Sequence, residues 1–334
     1  MKIRVPSDER LATEAVSTGH LPAASTVGQL VAEAHAQFKS IDEGKVADYI
    51  PALAKVPAEL FGISVVGVNG AVYSAGDAER EFSIQSVSKP FVFALVCQAI
   101  GEEAAKEKLG VNSTGLPFNS VIAIERTAGA TNPMVNSGAI AAASLALGDT
   151  ADQKWAFIQD GLSKFAGRKL SLNTEVYESE AATNQRNEGI ANMLRAYERI
   201  FFDPIQATDV YTKQCSLNVT AKDLAVMGAT LANGGVNPVT KQHVIDPIHC
   251  QHVLAVMVTA GLYETSGDWL YETGLPGKSG VGGGMLTVSP GKGGLGTFAP
   301  LLDGSGNSVK GQAVARFISE KLGLNLFASS PFTA

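Results

Sequence analysis

The chain has little cysteine, and its few thiols do not form a disulfide framework. Only Cys97, Cys215 and Cys250 occur in 334 residues, and no two of them lie close together in the sequence. Small secreted domains that depend on disulfides carry dense cysteines, usually in even numbers, so this class of protein is excluded. We expect reduced, buried thiols and a cytosolic location.

Long apolar runs and strong charge of one sign are also missing. No apolar stretch approaches the roughly 20 residues that a membrane-spanning helix needs. The first residues have no apolar core of a secretory signal. A net charge of -6, with no basic run interleaved with aromatic residues, argues against binding to nucleic acid or to an anionic membrane. We therefore predict a cytoplasmic protein with neither of these partners.

What is present is enough apolar material for a large core, arranged in strand and helix patterns. Hydrophobic residues make up 45% of the chain. Two β-rich runs around Asn69-Gly70 predict a hairpin. Further strand patterns lie at residues 281–288 and 295–302. Helical patterns occupy residues 152–165, 187–202, 220–232, 247–259 and 309–322.

This order of elements predicts an α/β protein that is closed by both ends of the chain. Residues 25–95 and 270–327 would form the α/β part, with an antiparallel sheet flanked by helices. Residues 96–269 would form an inserted helical domain. Residues 1–24 are polar and unpatterned, and we treat them as an N-terminal extension.

The strongest chemical signal is Ser86 with Lys89, in the segment Gln85-Ser86-Val87-Ser88-Lys89. Ser-x-x-Lys at the start of a helix places a hydroxyl and an amine one turn apart on one face. A serine hydroxyl becomes a good nucleophile when a neighbouring base takes its proton. A lysine can be that base if burial lowers its pKa. The alternative is a serine-rich helix start with a solvated lysine.

Two other segments repeat parts of this pattern. Ser289-Pro290-Gly291-Lys292 has the same spacing, but Pro-Gly indicates a turn. The segment 291–296 is glycine-rich and lies between two predicted strands, so we interpret it as a hairpin loop. Lys278-Ser279-Gly280 precedes another glycine-rich run, where exposed N–H groups could receive a developing oxyanion. A simple glycine-rich turn is the alternative there.

Several polar residues could line a site, and each has a simpler explanation. Asn136 lies at the start of a predicted helix, where asparagine usually acts as a cap. Glu180 belongs to a Glu-Ser-Glu segment, which is typical of a solvated helix start. Tyrosines such as Tyr211 commonly lie at the edge of a core. His249 and His252 lack a completing carboxylate or cysteine pair, so we expect no metal site.

Together the motifs resemble the serine-dependent glutaminases, which share the fold of serine β-lactamases and DD-peptidases. The resemblance covers about residues 27–327, with the motifs in family order. The matching segments are residues 46–54, 85–89, 132–140, 176–180, 186–187, 211–216, 261–263 and 274–284. Pro90 after Lys89, and Ser137 in place of a more usual alanine, depart from the family pattern.

The resemblance implies a role for each matching residue. Ser86 would be the nucleophile, Lys89 its general base and Tyr263 a proton relay. The N–H groups of Ser86 and Val281 would form the oxyanion hole. Glu180 would bind the α-ammonium of glutamine. The residues expected to hold its α-carboxylate are Asn136, Asn187, Tyr211 and Tyr49.

The expected reaction is hydrolysis of L-glutamine to L-glutamate and ammonia through a serine-bound γ-glutamyl ester, without metal or organic cofactor. A β-lactamase or other penicillin-recognising hydrolase is the alternative enzyme. A non-catalytic amino-acid-binding relative is the alternative from another class. The resemblance also implies a homodimer or homotetramer.

Overall fold

The computed structural model describes Gly19 and residues 21–329, and these residues form a mixed α/β fold. The predicted extension, residues 1–24, lies mostly outside the described residues. The first helix begins at Ala24. The described helices are α1 Ala24–Phe38, α2 Lys89–Ile100, α3 Glu102–Leu109, α4 Val121–Arg126, α5 Asn136–Ser144, α6 Ala151–Ala166, α7 Thr174–Ala181, α8 Gln185–Ala196, α9 Pro204–Cys215, α10 Ala221–Ala232, α11 Pro247–Ala260, α12 Ser266–Thr273 and α13 Val309–Leu322. The described strands are β1 Gly62–Gly67, β2 Val72–Gly76, β3 Phe82–Ser83, β4 Asn218–Val219, β5 Gly277–Ser279, β6 Gly284–Ser289 and β7 Gly293–Phe298. Short 3₁₀ turns cover Leu53–Lys55, Gln85–Ser88 and Tyr263–Thr265.

The main sheet is antiparallel, with the strand order β2-β1-β7-β6-β5. Strands from both ends of the chain therefore pair in its centre, where Val65 lies opposite Leu295. The predicted hairpin is confirmed, because β1 and β2 pair and Gly70 at the turn has a φ of +87°. A second, two-stranded pair joins β3 to β4.

The predicted glycine-rich loop at 291–296 is partly wrong. β6 and β7 do form a hairpin, but the strand begins at Gly293, so most of the predicted loop lies within β7. The reason is a helix that lies directly on the strand. A β-carbon at Gly294 would overlap the carbonyl oxygen of Ala225, and one at Gly296 would overlap that of Ala221. The glycines let α10 approach the backbone of the sheet.

The core has a large cluster on each face of the sheet. One cluster joins Phe91 and Phe165 of the helices to Leu286 and Phe298 of the sheet. The other lies between the sheet and the two terminal helices, α1 and α13. Because α10 belongs to residues 96–269 and covers the sheet, the middle of the chain shares a core with the α/β part. The division into α/β and helical domains stays a prediction.

Over the part of the chain that the structure describes, no helix is both long and apolar enough to cross a membrane.

Replacing Gly296 with alanine should destabilise the protein. The added methyl group meets backbone atoms of α10, which cannot turn away as a side chain can. Overpacking of this kind typically costs about 1–3 kcal/mol of unfolding free energy. Thermal denaturation followed by circular dichroism should show a midpoint several degrees below that of the wild type.

Gly189→Ala is the matched control, because Gly189 is exposed on α8 and a β-carbon there meets nothing within 4 Å. Alanine in a helix is favoured over glycine by roughly 0.5–1 kcal/mol, so this variant should melt no lower than the wild type. Equal melting of both variants would contradict the close contact between α10 and β7.

Candidate active site

A cleft of about 980 Å³ gathers most of the residues that the sequence singled out. Its wall includes seven of the nine predicted site residues, namely Tyr49, Ser86, Asn136, Glu180, Asn187, Tyr211 and Val281. The other two, Lys89 and Tyr263, are buried behind this wall and contact residues of the cleft.

Ser86 and Lys89 lie where a 3₁₀ turn passes into a helix. The turn covers Gln85–Ser88, and α2 begins at Lys89, with Pro90 in its first turn. Proline is tolerated there because the first N–H groups of a helix have no partner within it. Ser86 is 8% exposed and Lys89 only 1%. The alternative of a solvated lysine is therefore excluded, and the pair is buried at the wall of the cleft.

The amine of Lys89 has neutral neighbours. Its Nζ donates to Oδ1 of Asn136 at 2.7 Å and lies 5.8 Å from the centroid of the Tyr211 ring. Burial lowers the pKa of Lys89 to about 8, while the nearby Cys215 acts in the opposite direction. Near neutral pH a fraction of this amine is therefore uncharged and able to accept a proton.

Tyr263 contacts the nucleophile candidate from the other side. Its hydroxyl donates to the carbonyl oxygen of Ser279 at 3.4 Å, and its ring lies 4.8 Å from that of Phe118. Burial raises the pKa of Tyr263 to about 12, and hydrogen bonds with Ser86 and Ser279 oppose this rise. The Tyr263 hydroxyl thus stays protonated, and Ser86 is one of the two residues that oppose the rise of its pKa.

Glu180 supplies a carboxylate to the cleft, so its interpretation as a solvated surface residue is wrong. Nε2 of Gln85 donates to Oε1 of Glu180 at 2.5 Å. Burial raises the pKa of Glu180 to about 7, and the hydrogen bond from Gln85 opposes this rise. The carboxyl group can therefore change its charge near neutral pH.

A group of polar side chains lies across the cleft. The Tyr211 hydroxyl donates to Oδ1 of Asn136 at 3.1 Å, and Nδ2 of Asn136 donates to Oδ1 of Asn187 at 3.1 Å. Asn136 does not cap a helix as predicted, because it is the first residue of α5 and Val135 occupies the cap position without a side-chain hydrogen bond. Tyr49 is 59% exposed at the mouth of the cleft.

Lys278 and Ser279 belong to the edge strand β5, and Gly280 follows it and leads to Val281 in the cleft. Its glycines bring this segment against the turn that carries Ser86. A β-carbon at Gly282 would lie 2.6 Å from the carbonyl oxygen of Ser83, and one at Gly280 would lie 3.0 Å from that of Ile84.

The Lys278 side chain points away from solvent. Its Nζ donates to the carbonyl oxygens of Gly261 and Ser279, each at 2.8 Å, and lies 4.0 Å from the centroid of the Tyr263 ring. Burial lowers the pKa of Lys278 well below its usual value, and Lys89 lowers it further. Lys278 thus ties the edge strand to the segment that carries Tyr263.

Three residues of the site carried no prediction. Gln85 holds Glu180, Phe118 packs on Tyr263, and Cys215 lines the cleft beside Lys89. Gln85 and Cys215 lie in segments that match the family, so their position could have been suspected. Phe118 is in a loop without a sequence signal.

The histidine pair on α11 forms no metal cluster. His249 Nδ1 lies 3.5 Å from Oε2 of Glu102, a carboxylate that the sequence did not place there. Across the described part of the chain, no group of three or more histidine, cysteine, aspartate or glutamate residues could hold a metal ion.

Comparison with known proteins gives consistent results. A family model described as Glutaminase matches residues 44–327. The chain is 66% identical to "Glutaminase 2" of Yersinia pestis over 95% of this chain and 94% of that protein. It is 47% identical to a glutaminase of Colwellia psychrerythraea, with 92% of this chain and 99% of that protein covered.

Solved structures agree with the sequence comparisons. A probable glutaminase, ybaS, superposes with a TM-score of 0.91 at 44% identity, covering 92% of this chain and all of the other. A probable glutaminase from Bacillus subtilis in complex with 6-diazo-5-oxo-L-norleucine gives a TM-score of 0.81 at 29% identity, with 90% and 96% covered. The predicted β-lactamase-like α/β fold is confirmed. By its family match, its relatives and its fold, this chain belongs to the glutaminase family.

Proposed function

We propose that this glutaminase-family amidohydrolase converts L-glutamine to L-glutamate and ammonia through an ester on Ser86. The observation that carries this mechanism is the environment of Lys89. A buried amine with a pKa near 8 lies three residues from a serine hydroxyl in the wall of the cleft. A base of that pKa can take the proton of Ser86 as its oxygen attacks a carbonyl carbon.

Acylation would proceed in one addition and one elimination. Oγ of Ser86 bonds to the side-chain carbonyl carbon of glutamine, and its proton passes to Lys89. The N–H groups of Ser86 and Val281 would stabilise the resulting oxyanion, which is supported by the close packing of the Gly280–Gly282 segment on the Ser86 turn. The C–N bond then breaks, and the nitrogen leaves as ammonia after it receives a proton.

Tyr263 would carry that proton to the leaving nitrogen. Its hydroxyl is protonated near neutral pH and contacts Ser86, so it can give a proton to the leaving nitrogen while regaining one from the direction of Lys89. In deacylation the path reverses. A water molecule attacks the ester, its proton returns through the same groups, and Ser86 is released with glutamate.

The remaining polar residues of the cleft suit the two charged groups of the substrate. A free amino acid presents a cation and an anion on one carbon. Glu180 would bind the α-ammonium, and neutral donors on Asn136, Asn187 and Tyr49 would bind the α-carboxylate. Tyr211 would join them by turning its single O–H from Oδ1 of Asn136 to the ligand. A ligand that lacks either group leaves buried polar atoms unpaired, so it should bind poorly.

The cellular setting belongs to the same proposal. We place the protein in the cytosol because its three thiols are free and buried, as reduced cysteines in that compartment are. No cofactor takes part in the proposed steps, since each proton transfer has a side chain to perform it. Assembly as a homodimer or homotetramer stays a prediction from the family.

Ser86→Ala should abolish ammonia release while leaving the thermal midpoint within a degree or two of the wild type. The variant loses the atom that forms the ester but no packing of consequence. A coupled ammonia assay with purified protein measures the loss. Ser289→Ala is the control, since it removes the serine of the second Ser-x-x-Lys segment, which is also buried. This control should keep full activity, and activity in Ser86→Ala would rule out the serine mechanism.

Tyr263→Phe should lower kcat by about 10²- to 10⁴-fold, the usual contribution of a general acid–base group, with a much smaller change in KM. The ring and its packing on Phe118 are retained, so only proton transfer is impaired. Steady-state kinetics separate the two constants. Tyr271→Phe is the control because Tyr271 is 91% exposed. An unchanged kcat in Tyr263→Phe would exclude the relay.

The pH profile of kcat/KM should rise from pH 6 to 9. The carboxyl group of Glu180 must lose a proton to bind the ammonium, with a pKa of about 7, and Lys89 must lose one to act as a base, with a pKa of about 8. Both groups lose their protons as the pH increases, so each ionisation makes kcat/KM rise with pH.

Glu180→Gln should remove the lower ionisation and raise KM about 30-fold or more, because a buried charge pair is lost. The ionisation near 8 should remain. Glu178→Gln on the same helix is exposed and should leave the profile unchanged. If Glu180→Gln keeps both ionisations, Glu180 does not bind the ammonium.

A further inference from the structure

Three amides in the wall of the cleft and a hydroxyl behind it form a directional chain of hydrogen bonds. Nδ2 of Asn136 donates to Oδ1 of Asn187 at 3.1 Å. Nδ2 of Asn187 donates to Oδ1 of Asn184 at 2.8 Å. Nδ2 of Asn184 donates to Oγ1 of Thr212 at 2.7 Å. Neither Asn184 nor Thr212 has a role in the proposed chemistry.

The direction of this chain is fixed at both ends. At one end Lys89 donates to Oδ1 of Asn136, and a lysine amine at that position has hydrogens to give. At the other end the Thr212 hydroxyl donates its only hydrogen to the carbonyl oxygen of Thr208 at 2.8 Å. Thr212 can therefore only accept from Asn184. Turning any one amide around would bring two donors or two acceptors face to face.

The fixed direction decides what the cleft offers to a ligand. Oδ1 of Asn136 already accepts from Lys89 and Tyr211, and Oδ1 of Asn187 accepts from Asn136. Each Nδ2 has two hydrogens and uses one in the chain, so one N–H of each amide is left for a ligand. These two N–H groups donate to a ligand. They suit a carboxylate better than a carboxamide, whose own N–H groups would face them.

We infer that Asn184, held by Thr212, is a positioning residue that fixes the Asn187 amide so that the cleft selects an α-carboxylate over an α-carboxamide. Asn184 is partly buried at the cleft, and Thr212 is 2% exposed on α9 behind it. The inference rests on the proposed binding of the substrate carboxylate by Asn136 and Asn187.

The test compares two ligands on protein that carries Ser86→Ala, so that neither ligand is consumed. Calorimetric titration gives the Kd of L-glutamine and of its α-carboxamide, and the ratio of the two measures selectivity. Thr212→Val removes the acceptor with little change of shape, and Asn184→Ala removes the amide. In both, the ratio should fall about tenfold, because the Asn187 amide loses its fixed acceptor on Asn184 and is held in its donating orientation by Asn136 alone.

Thr212→Ser retains the hydroxyl. Its ratio of the two Kd values should therefore equal that of the protein that carries Ser86→Ala alone. In the catalytically active background, Thr212→Val should raise the KM for glutamine about 3- to 10-fold and change kcat less than about twofold, because binding is weakened equally in the ground and transition states.

A ratio that stays constant in folded Asn184→Ala overturns the inference, since a purely structural role weakens both ligands alike. Should Thr212→Val fail to fold, Asn184→Ala and Thr212→Ser still decide the question. Failure of the proposed function looks different. In that case the unaltered enzyme releases no ammonia from glutamine, whatever the residue at position 184.

Discussion

The site depends on a lysine that is buried without an anion. Within the described residues no salt bridge involves Lys89, and its hydrogen bond goes to the neutral amide of Asn136. Moving a cation out of water is costly, and a carboxylate partner would offset the cost and keep the lysine charged. Because no carboxylate stabilises the charged form of Lys89, its pKa falls to about 8, and part of the amine is neutral near that pH. The hydrogen-bond partner of Lys89 must then accept a hydrogen without carrying a full negative charge, which the amide oxygen of Asn136 does.

This constraint also explains where the acid of the site lies. A carboxylate is needed to bind an α-ammonium, yet one that paired with Lys89 would remove the base. Glu180 instead takes a hydrogen bond from Gln85, the residue before the proposed nucleophile. The amide of Gln85 gives Glu180 a partner without charge, so the pKa values of Glu180 and Lys89 both lie close to neutral pH. In the proposed complex, the substrate ammonium supplies the cation that Glu180 lacks.

The sequence predicts the parts of this structure that local chemistry determines. The Asn69-Gly70 hairpin follows from its turn residues, and the helix at 309–322 has the predicted bounds. Thr220 caps α10 as its position suggests, in a reciprocal pair with Asp223. The Ser-x-x-Lys spacing places its hydroxyl and amine at one site because both lie within one turn.

Local chemistry could not decide the residues whose role depends on distant partners. Asn136 has the sequence of a cap and Glu180 that of a surface acid, and only contacts with Lys89 and Gln85, 47 and 95 positions away, make them part of a site. The conformation of the glycines in β7 also depends on a distant partner. Their sequence indicates a loop, and the strand is visible only when α10 lies on it. Assigning Asn136 and Glu180 to a site required the family resemblance, which adds information on distant contacts that a single pattern lacks.

Backbone strain is concentrated at two residues of the site. Among the described residues, five that are not glycine have a positive φ, and two of them are Gln85 at 52° and Tyr263 at 58°. Such a conformation costs on the order of 1–3 kcal/mol, which glycine would avoid. Glycine would also remove the amide that holds Glu180 and the hydroxyl beside Ser86. Both residues lie at the start of 3₁₀ turns that carry site residues, since Gln85 comes just before Ser86 and Tyr263 opens its own turn. The fold therefore accepts strain at two points where a side chain and a sharp turn are needed in the same residue.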